Sequence, residues 1–245
     1  MIGLYDESVM EYETCLNSGG GLESLIGFCE ASLAAGKDWI TQGAFGRGSY
    51  FLNQLLEKAA QGLEYGGKAI LWKLIGDTCF TLSKLESNFT IVKPHLLQDI
   101  YKKSALIDKR INDRAWSLQD PADDLFAQWL DEEGPLNSKI ILSFSGMAYK
   151  SALSLLYNET GYSSAIADLW YDLGLSYYTR LEYEDSGNSR DVAMECILTS
   201  LQISPDVDIY WNAFGIVCAE KFPKLSQHAF IKAISLNAKV SHRYH

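Results

Sequence analysis

The sequence predicts an all-α fold, an α-solenoid of stacked antiparallel helix hairpins with an irregular insertion. Three tryptophans, Trp72, Trp170 and Trp211, each stand four residues before a glycine. After each of these pairs, apolar residues recur at the spacing of one helix face. Only five prolines interrupt the 245 residues, which leaves long stretches free to be helical. Together these observations favour a repeat built from helix pairs.

The clearest repeat begins at Trp170. Its two helices carry, in order, Trp170, Leu173, Gly174, Tyr177, Ala193, Ile197, Ser200 and Pro205. Small residues belong where two helix backbones nearly touch, and large residues fill the gaps between hairpins. This order of residue types is the pattern of the tetratricopeptide repeat (TPR), a hairpin of 34 residues.

Two further copies follow the same pattern. The next one starts at Trp211, 41 residues after Trp170, which equals 34 residues plus a seven-residue insertion within 181–188. An earlier first helix carries Trp72, Ile75, Gly76 and Cys79. The residues that we expect to pack the repeats together are Trp72, Gly76, Trp170, Gly174, Tyr177, Ala193, Pro205, Trp211, Gly215, Phe230 and Ala233.

The remaining repeat signals are weaker. A degraded first helix is predicted at Leu22–Cys29, and two second helices, Ser8–Cys15 and Ser145–Ala152, have no adjacent first helix. The predicted organisation is TPR-like hairpins over 1–85, an irregular insertion or eroded repeat over 86–137, and TPR-like hairpins over 138–245. Because solenoids need polar end caps, both ends predict a segment cut from a longer array.

Composition excludes several classes of protein. With 47% hydrophobic residues the chain is not expected to be disordered. No stretch approaches the roughly 20 apolar residues of a membrane span. A net charge of −10 disfavours direct binding of nucleic acid. The absence of a signal peptide and of paired cysteines predicts an intracellular protein, in the cytoplasm and with the nucleus as a second location.

No catalytic chemistry is predicted. The four histidines lack metal-ligand spacing, and the glycine-rich stretch Gly43–Ser49 lacks the ending of a phosphate-binding loop. We therefore expect no enzyme, no cofactor and no metal within these residues. An enzyme such as a glycosyltransferase, with its catalytic domain outside this sequence, is an open alternative.

One segment of the predicted insertion is a candidate partner contact. Leu125, Phe126 and Trp129 form an apolar patch among six carboxylates within 120–133. Such a patch is typical of an aromatic anchor that docks on a basic partner surface. The simpler alternative is that this acidic stretch and the basic stretch 102–114 are solvated faces that attract each other.

Four stretches resemble a known family, the TPR scaffold subunits of the Ski (superkiller) complex, or tetratricopeptide repeat protein 37 family. They are Leu71–Cys79, Trp170–Tyr178, Ile209–Val217 and Gln227–Ile234. The resemblance implies a non-enzymatic cytoplasmic scaffold that organises a superkiller RNA helicase and a WD-repeat subunit. That assembly feeds mRNA to the RNA exosome for 3′-to-5′ decay.

A second TPR class is the alternative function. Chaperone cofactors clamp an acidic C-terminal peptide with Lys, Arg and Asn side chains on successive first helices. The first helices here offer Lys73, Arg180 and Asn212, which are few and irregularly placed.

Overall fold

The computed structural model describes residues 4–65, 68–85, 92–107, 113–118, 124–132, 134–160, 164–183 and 188–241. Within these ranges the chain is all α, and no strand occurs. The helices are α1 Leu4–Asn17, α2 Leu22–Thr41, α3 Phe45–Glu64, α4 Ala69–Leu82, α5 Pro94–Ser104, α6 Asp113–Ser117, α7 Leu125–Glu132, α8 Ser138–Thr160, α9 Ser164–Arg180, α10 Asn188–Ile203, α11 Asp208–Cys218 and α12 Pro223–Ser241.

The main helices pack as four hairpins, α2–α3, α4–α8, α9–α10 and α11–α12. Helix α1 packs on α2 as a second helix that precedes the first complete hairpin. The first helices also contact one another in order, α2 with α4, α4 with α9, and α9 with α11. This is a TPR-type α-solenoid, as the sequence predicts.

A glycine on the first helix lies at the crossing point of each hairpin. A Cβ atom added at Gly36, Gly76, Gly174 or Gly215 would come within 2.6–2.7 Å of a side chain on the second helix. The side chains are those of Leu52, Tyr149, Ile197 and Phe230 respectively. With any larger residue at these positions either the two helices separate or the opposing side chain moves, which explains why the pattern places glycine there.

A serine reinforces two of the crossings. Ser145 Oγ donates a hydrogen bond to the Gly76 carbonyl at 2.9 Å, and Ser226 Oγ donates to the Gly215 carbonyl at 2.7 Å. In the α9–α10 hairpin the equivalent residue is Ala193, which has no hydroxyl. The small residue at this position therefore has two functions, since it permits close approach and it satisfies a helix carbonyl.

The first complete hairpin is not centred where the sequence pattern indicates. The structure places the α2–α3 crossing at Gly36, with Gly48 and Leu52 opposite, rather than in the Leu22–Cys29 stretch. The sequence pattern does not show this repeat, because Ser32, which is fully buried, occupies the position where the other repeats have tryptophan. The earlier part of α2 packs on α1 instead, where Gly27 lies against the ring of Tyr12.

The helix at Ser145–Ala152 has a partner that is distant in sequence. Helices α4 and α8 form one hairpin, although α4 ends at Leu82 and α8 begins at Ser138. The intervening residues therefore leave the hairpin after its first helix and return at its second. Ser138 Oγ donates a hydrogen bond to the Ser83 carbonyl at 2.8 Å, which holds the end of α4 next to the start of α8.

The described parts of the intervening segment pack against second helices. Helix α5 contacts α3 and α8, while α6 and α7 contact α8. Lys103 Nζ donates to the Ala60 carbonyl at 2.6 Å, and Lys93 pairs with Glu57, so α5 is fixed to α3. These helices cover the side of the stack opposite the first helices.

The predicted packing residues lie mostly inside the stack. Buried members are Trp72, Gly76, Trp170, Gly174, Tyr177, Ala193, Gly215 and Ala233. Trp211 and Phe230 are half-buried, and Pro205 is exposed. The Pro205 carbonyl accepts a hydrogen bond from Trp211 Nε1 at 2.7 Å, so this loop also holds the tryptophan ring in place.

Helix α8 is unusually apolar because it is central. Among the described residues, Ser138–Tyr157 is the one stretch long and apolar enough to cross a membrane by length and composition, which corrects the expectation that no stretch approaches that length. Within the protein, 78% of that stretch is buried. Contacts with α4, α5, α6, α7 and α9 account for this burial, so the apolarity is explained by the core.

Candidate protein-interaction face

The four first helices present one continuous surface. We call it the first-helix face and define it by six side chains of α4, α9 and α11, namely Lys73, Asp77, Asp168, Asp172, Ile209 and Ile216. Neighbouring repeats of a solenoid typically combine such helices into an extended binding surface. Helices α5, α6 and α7 pack against second helices on the other side, so among the described residues the first-helix face is the less obstructed of the two.

A polar cluster joins α4, α8 and α9 on this face. Lys73 Nζ lies 2.9 Å from Asp77 Oδ2 and 2.9 Å from Asp172 Oδ2. Tyr149 of α8 donates its hydroxyl to Asp77 Oδ1 at 2.8 Å. Lys73, Asp77, Asp172 and Tyr149 are called the Lys73 cluster below. Because its members come from two hairpins, the cluster fixes their relative register.

Burial changes the proton affinities within the cluster. Desolvation raises the pKa of Asp172 to about 6, in spite of the opposing effect of the Lys73 ammonium. Burial alone would lower the pKa of Lys73, but the charges of Asp172 and Asp77 outweigh it and raise that pKa. Burial and the Asp77 charge raise the pKa of Tyr149. Asp172 therefore takes up a proton closer to neutral pH than an ordinary aspartate does.

The titration of Asp172 makes stability depend on pH. Its pKa is about 6 in the folded protein, above its ordinary value of 3.8, so the folded state holds this proton more tightly. The free energy of unfolding should therefore decrease as the pH rises from about 4 to about 6, by on the order of 2 kcal/mol. We expect Asp172→Asn to remove this part of the pH dependence. Urea denaturation of both proteins at a series of pH values measures it.

A control separates this effect from the other carboxylates. Asp206→Asn changes an exposed carboxylate in the turn before α11 and should leave the pH dependence of the wild type in place. If the free energies of unfolding of the wild type and of Asp172→Asn change in parallel between about pH 4 and pH 6, this pH dependence does not come from Asp172.

A tyrosine pair links the next two first helices. Tyr210 of α11 donates its hydroxyl to Asp168 of α9. The ring centroids of Tyr210 and Tyr171 lie 5.1 Å apart. Burial, followed by the hydrogen bond to Asp168, raises the pKa of Tyr210. The pair therefore connects α9 to α11 as the Lys73 cluster connects α4 to α9.

The α11 end of the face is apolar and exposed. Ile209 and Ile216 are both exposed, and Asn212 lies exposed between them. Their equivalents in α9, 41 residues earlier, are Asp168, Tyr171 and Leu175. The face thus runs from an acidic centre to an apolar end. A partner surface with basic and apolar side chains would complement both parts.

The side chains of a carboxylate clamp do not come together. Arg180 is fully buried, where its guanidinium lies 4.5 Å from the ring of Tyr177 and donates to the Leu142 carbonyl at 3.3 Å. Lys73 is already paired with two carboxylates. Of the three, only Asn212 is open to solvent. This geometry does not favour binding of an acidic C-terminal peptide.

The aromatic patch on α7 lies in the core. Phe126 and Trp129 are buried, and the Phe126 ring lies 4.5 Å from Phe144 of α8 and 5.2 Å from Trp129. Trp129 Nε1 donates to the Gly134 carbonyl at 2.6 Å, and Leu125 is half-buried. The structure therefore assigns these rings to holding α7 on α8 rather than to a partner contact. Residues 120–123 and 133 of the acidic stretch lie outside the described residues.

Other candidate chemistry has a structural explanation. Gly43 has a φ of +79° in the turn between α2 and α3, and Gly48 lies at their crossing, so the glycine-rich stretch serves the hairpin. Among the described residues, no group of three or more His, Cys, Asp or Glu side chains is placed to hold a metal ion.

Comparisons with known proteins give two relatives. The chain is 25% identical over 255 residues to tetratricopeptide repeat protein 37 of Xenopus laevis, covering 96% of this chain and 14% of that protein. It is 22% identical over 244 residues to superkiller complex protein 3 of Mus musculus, covering 94% of this chain and 13% of that protein. No family model matches.

These matches confirm the resemblance that the sequence predicts. Similarity extends along nearly the whole chain, including the segment between α4 and α8, and not only over the tryptophan and glycine positions. The chain spans about one seventh of the length of these relatives. It is similar to a segment of a much longer TPR protein, which supports a protein-interaction role.

Proposed function

We propose that this chain is a non-enzymatic scaffold segment of a superkiller-type complex that supports exosome-linked 3′-to-5′ decay of mRNA in the cytoplasm. The observation that carries the proposal is the similarity to superkiller complex protein 3 over 94% of the chain. The hairpin stack agrees with this role, because its first helices contact one another in order and offer an extended surface.

The proposed partners are proteins, a superkiller RNA helicase and a WD-repeat subunit. The first-helix face is the proposed contact, with the acidic side chains of α4 and α9 beside the exposed isoleucines of α11. A net charge of −10 repels polyanions, so RNA is expected to reach the complex through another subunit. A basic partner surface would also be steered toward the chain.

Purification from cells tests the proposal. The full chain, tagged at one end, is captured separately from cytoplasmic, nuclear and membrane fractions of the cell, and its partners are identified by mass spectrometry. Recovery of a superkiller helicase together with a WD-repeat protein supports the proposal. Recovery of heat-shock chaperones alone would favour the chaperone-cofactor alternative, and recovery from a membrane or nuclear fraction alone would exclude the cytoplasmic role.

A matched pair of substitutions tests the proposed face. Ile216→Lys places a charge on the first-helix face, whereas Ile231→Lys makes the same change on the outer side of α12 in the same hairpin. Both side chains are exposed, so neither change disturbs the core. We expect Ile216→Lys to reduce partner recovery about tenfold or more, and Ile231→Lys to leave it unchanged. Equal recovery with both variants would place the contact elsewhere.

A further inference from the structure

The two flanks of α3 differ in what covers them. On one flank α5 lies along the helix, and its hydrogen bonds and ion pairs reach Asn53, Glu57, Ala60 and Glu64. The other flank borders a cavity with the stripe Lys58, Gln61 and Tyr65. Residues three or four positions apart share a helix face, so these two sets are neighbouring stripes of one helix. The outer surface of α3 is therefore covered on one side and open on the other.

The cavity on the open flank has a volume of about 560 Å³. It lies between the end of α1, the first turn of α2 and the end of α3. Its apolar lining includes Leu25, which is buried, and the half-buried Leu16 and Leu22. We call this cavity the α1–α3 groove and define it by Leu16, Asn17, Leu22, Leu25, Lys58 and Gln61.

The next groove along the stack shows what such a surface accommodates. Helices α1, α3 and α8 are successive second helices, and α5 contacts both α3 and α8. Helix α5 is amphipathic, and it buries Leu96, Leu97 and Ile100 in this position. The fold thus contains its own example of a helix from outside the repeats that packs between two second helices. The α1–α3 groove is the corresponding surface one repeat earlier, and in the part of the chain that the structure describes it is open.

Lys58 indicates the charge of a suitable occupant. Its side chain is half-buried in the groove, and among the described residues it neither donates a hydrogen bond nor forms an ion pair. Glu64, which also lines the cavity, is already paired with Lys103 of α5 at 3.0 Å. A carboxylate on the arriving helix would therefore find its complement in Lys58.

We propose that the α1–α3 groove binds an amphipathic helix of a partner protein, with its apolar stripe on the leucines and a carboxylate paired with Lys58. This contact lies beside the second helices, on the side of the stack opposite the first-helix face. It does not depend on the superkiller proposal, because it rests on the groove, on Lys58 and on the way that α5 packs in the next groove.

Two synthetic peptides of about four helical turns test the proposal. Both carry the apolar stripe of α5, with Leu, Leu and Ile spaced as in Leu96, Leu97 and Ile100. The positions beside the stripe are glutamate in one peptide and lysine in the other. Each is labelled with fluorescein and titrated with the full chain, and binding is followed by fluorescence anisotropy. We expect the glutamate peptide to bind about fivefold or more tightly than the lysine peptide. The net charge of −10 favours the lysine peptide, so the general field of the protein cannot produce this order.

A charge reversal assigns the binding to the groove. Lys58→Glu should reverse the order of the two peptides, and Lys58→Gln should bring their affinities together. Lys224→Glu makes the same change of net charge at an exposed position of α12 and should keep the wild-type order. Circular dichroism confirms that each variant is folded.

Three results would overturn the proposal. The first is that neither peptide binds the wild type at concentrations up to about 1 mM. The second is that the order of the peptides is the same in the wild type and in Lys58→Glu. The third concerns the helix itself: a glutamate peptide with proline at its centre cannot form the helix, so it should not bind. Equal binding of the proline peptide would show that the groove takes an extended segment instead.

Discussion

Replacing Trp170 with alanine is expected to lower the free energy of unfolding by about 3–5 kcal/mol. The indole is fully buried, and its Nε1 donates to the Tyr157 hydroxyl at 3.3 Å, so both packing and a hydrogen bond are lost. Because Trp170 connects α9 to the end of α8, the loss weakens the interface between two hairpins. Urea denaturation followed by circular dichroism measures the effect without relying on tryptophan fluorescence.

The same substitution at Trp211 is the control. Trp211 is at the equivalent repeat position but is half-buried, so less apolar surface returns to water when it is truncated. We expect the loss for Trp211→Ala to be less than half of that for Trp170→Ala. Equal losses would mean that burial between hairpins does not determine the contribution of this repeat position.

Replacing Gly76 with valine is expected to have a comparable effect, a destabilisation of about 3 kcal/mol. A Cβ atom there would lie 2.6 Å from the Tyr149 ring, so α4 and α8 must separate or the ring must move. Either response strains the hydrogen bond from Tyr149 to Asp77 and therefore the Lys73 cluster. The change is measured as the shift of the urea unfolding curve.

Gly46→Ala provides the matched glycine substitution. Gly46 lies in the first turn of α3, and nothing stands within 4 Å of its added Cβ atom. Alanine is the better helix former, so stability should rise slightly, by about 0.5–1 kcal/mol. A similar loss at both glycines would show that the destabilisation of Gly76→Val does not come from the close approach of α4 and α8.

Part of the fold could be predicted from sequence because close helix packing restricts residue choice strongly. A tryptophan followed four residues later by glycine is rare, and three such pairs identify α4, α9 and α11. The α2–α3 hairpin follows the same geometry, but Ser32 replaces the tryptophan and only Gly36, Gly48 and Leu52 carry the signal. Small residues are common in any helix, so that signal is weak.

The pairing of α4 with α8 was harder to predict for a different reason. Both helix motifs are visible in the sequence, at Gly76 and at Ser145, but the residues from 83 to 137 separate them. Local patterns do not show which distant helices pair. The first helix at Trp72 and the second helix at Ser145 each lack an adjacent partner in the sequence, which agrees with their pairing in the structure.

The candidate face depends on register between hairpins, which the sequence alone does not give. Asp77 stands out next to Gly76, but Asp172 and Tyr149 become its neighbours only after α4 packs on both α8 and α9. The burial of α7 is likewise not visible in the sequence. An aromatic pair among carboxylates looks like a docking site, yet Phe126 and Trp129 are needed to bury the face of α7 against α8.

Hydrogen exchange of the full chain, alone and with a purified superkiller helicase and WD-repeat subunit, would show whether partners bind the first-helix face. We expect complex formation, with slower amide exchange in the peptides of α4, α9 and α11, and unchanged exchange in α10. Absence of binding, or protection confined to the second helices and α5–α7, would contradict the assignment of the first-helix face as the surface that holds partners.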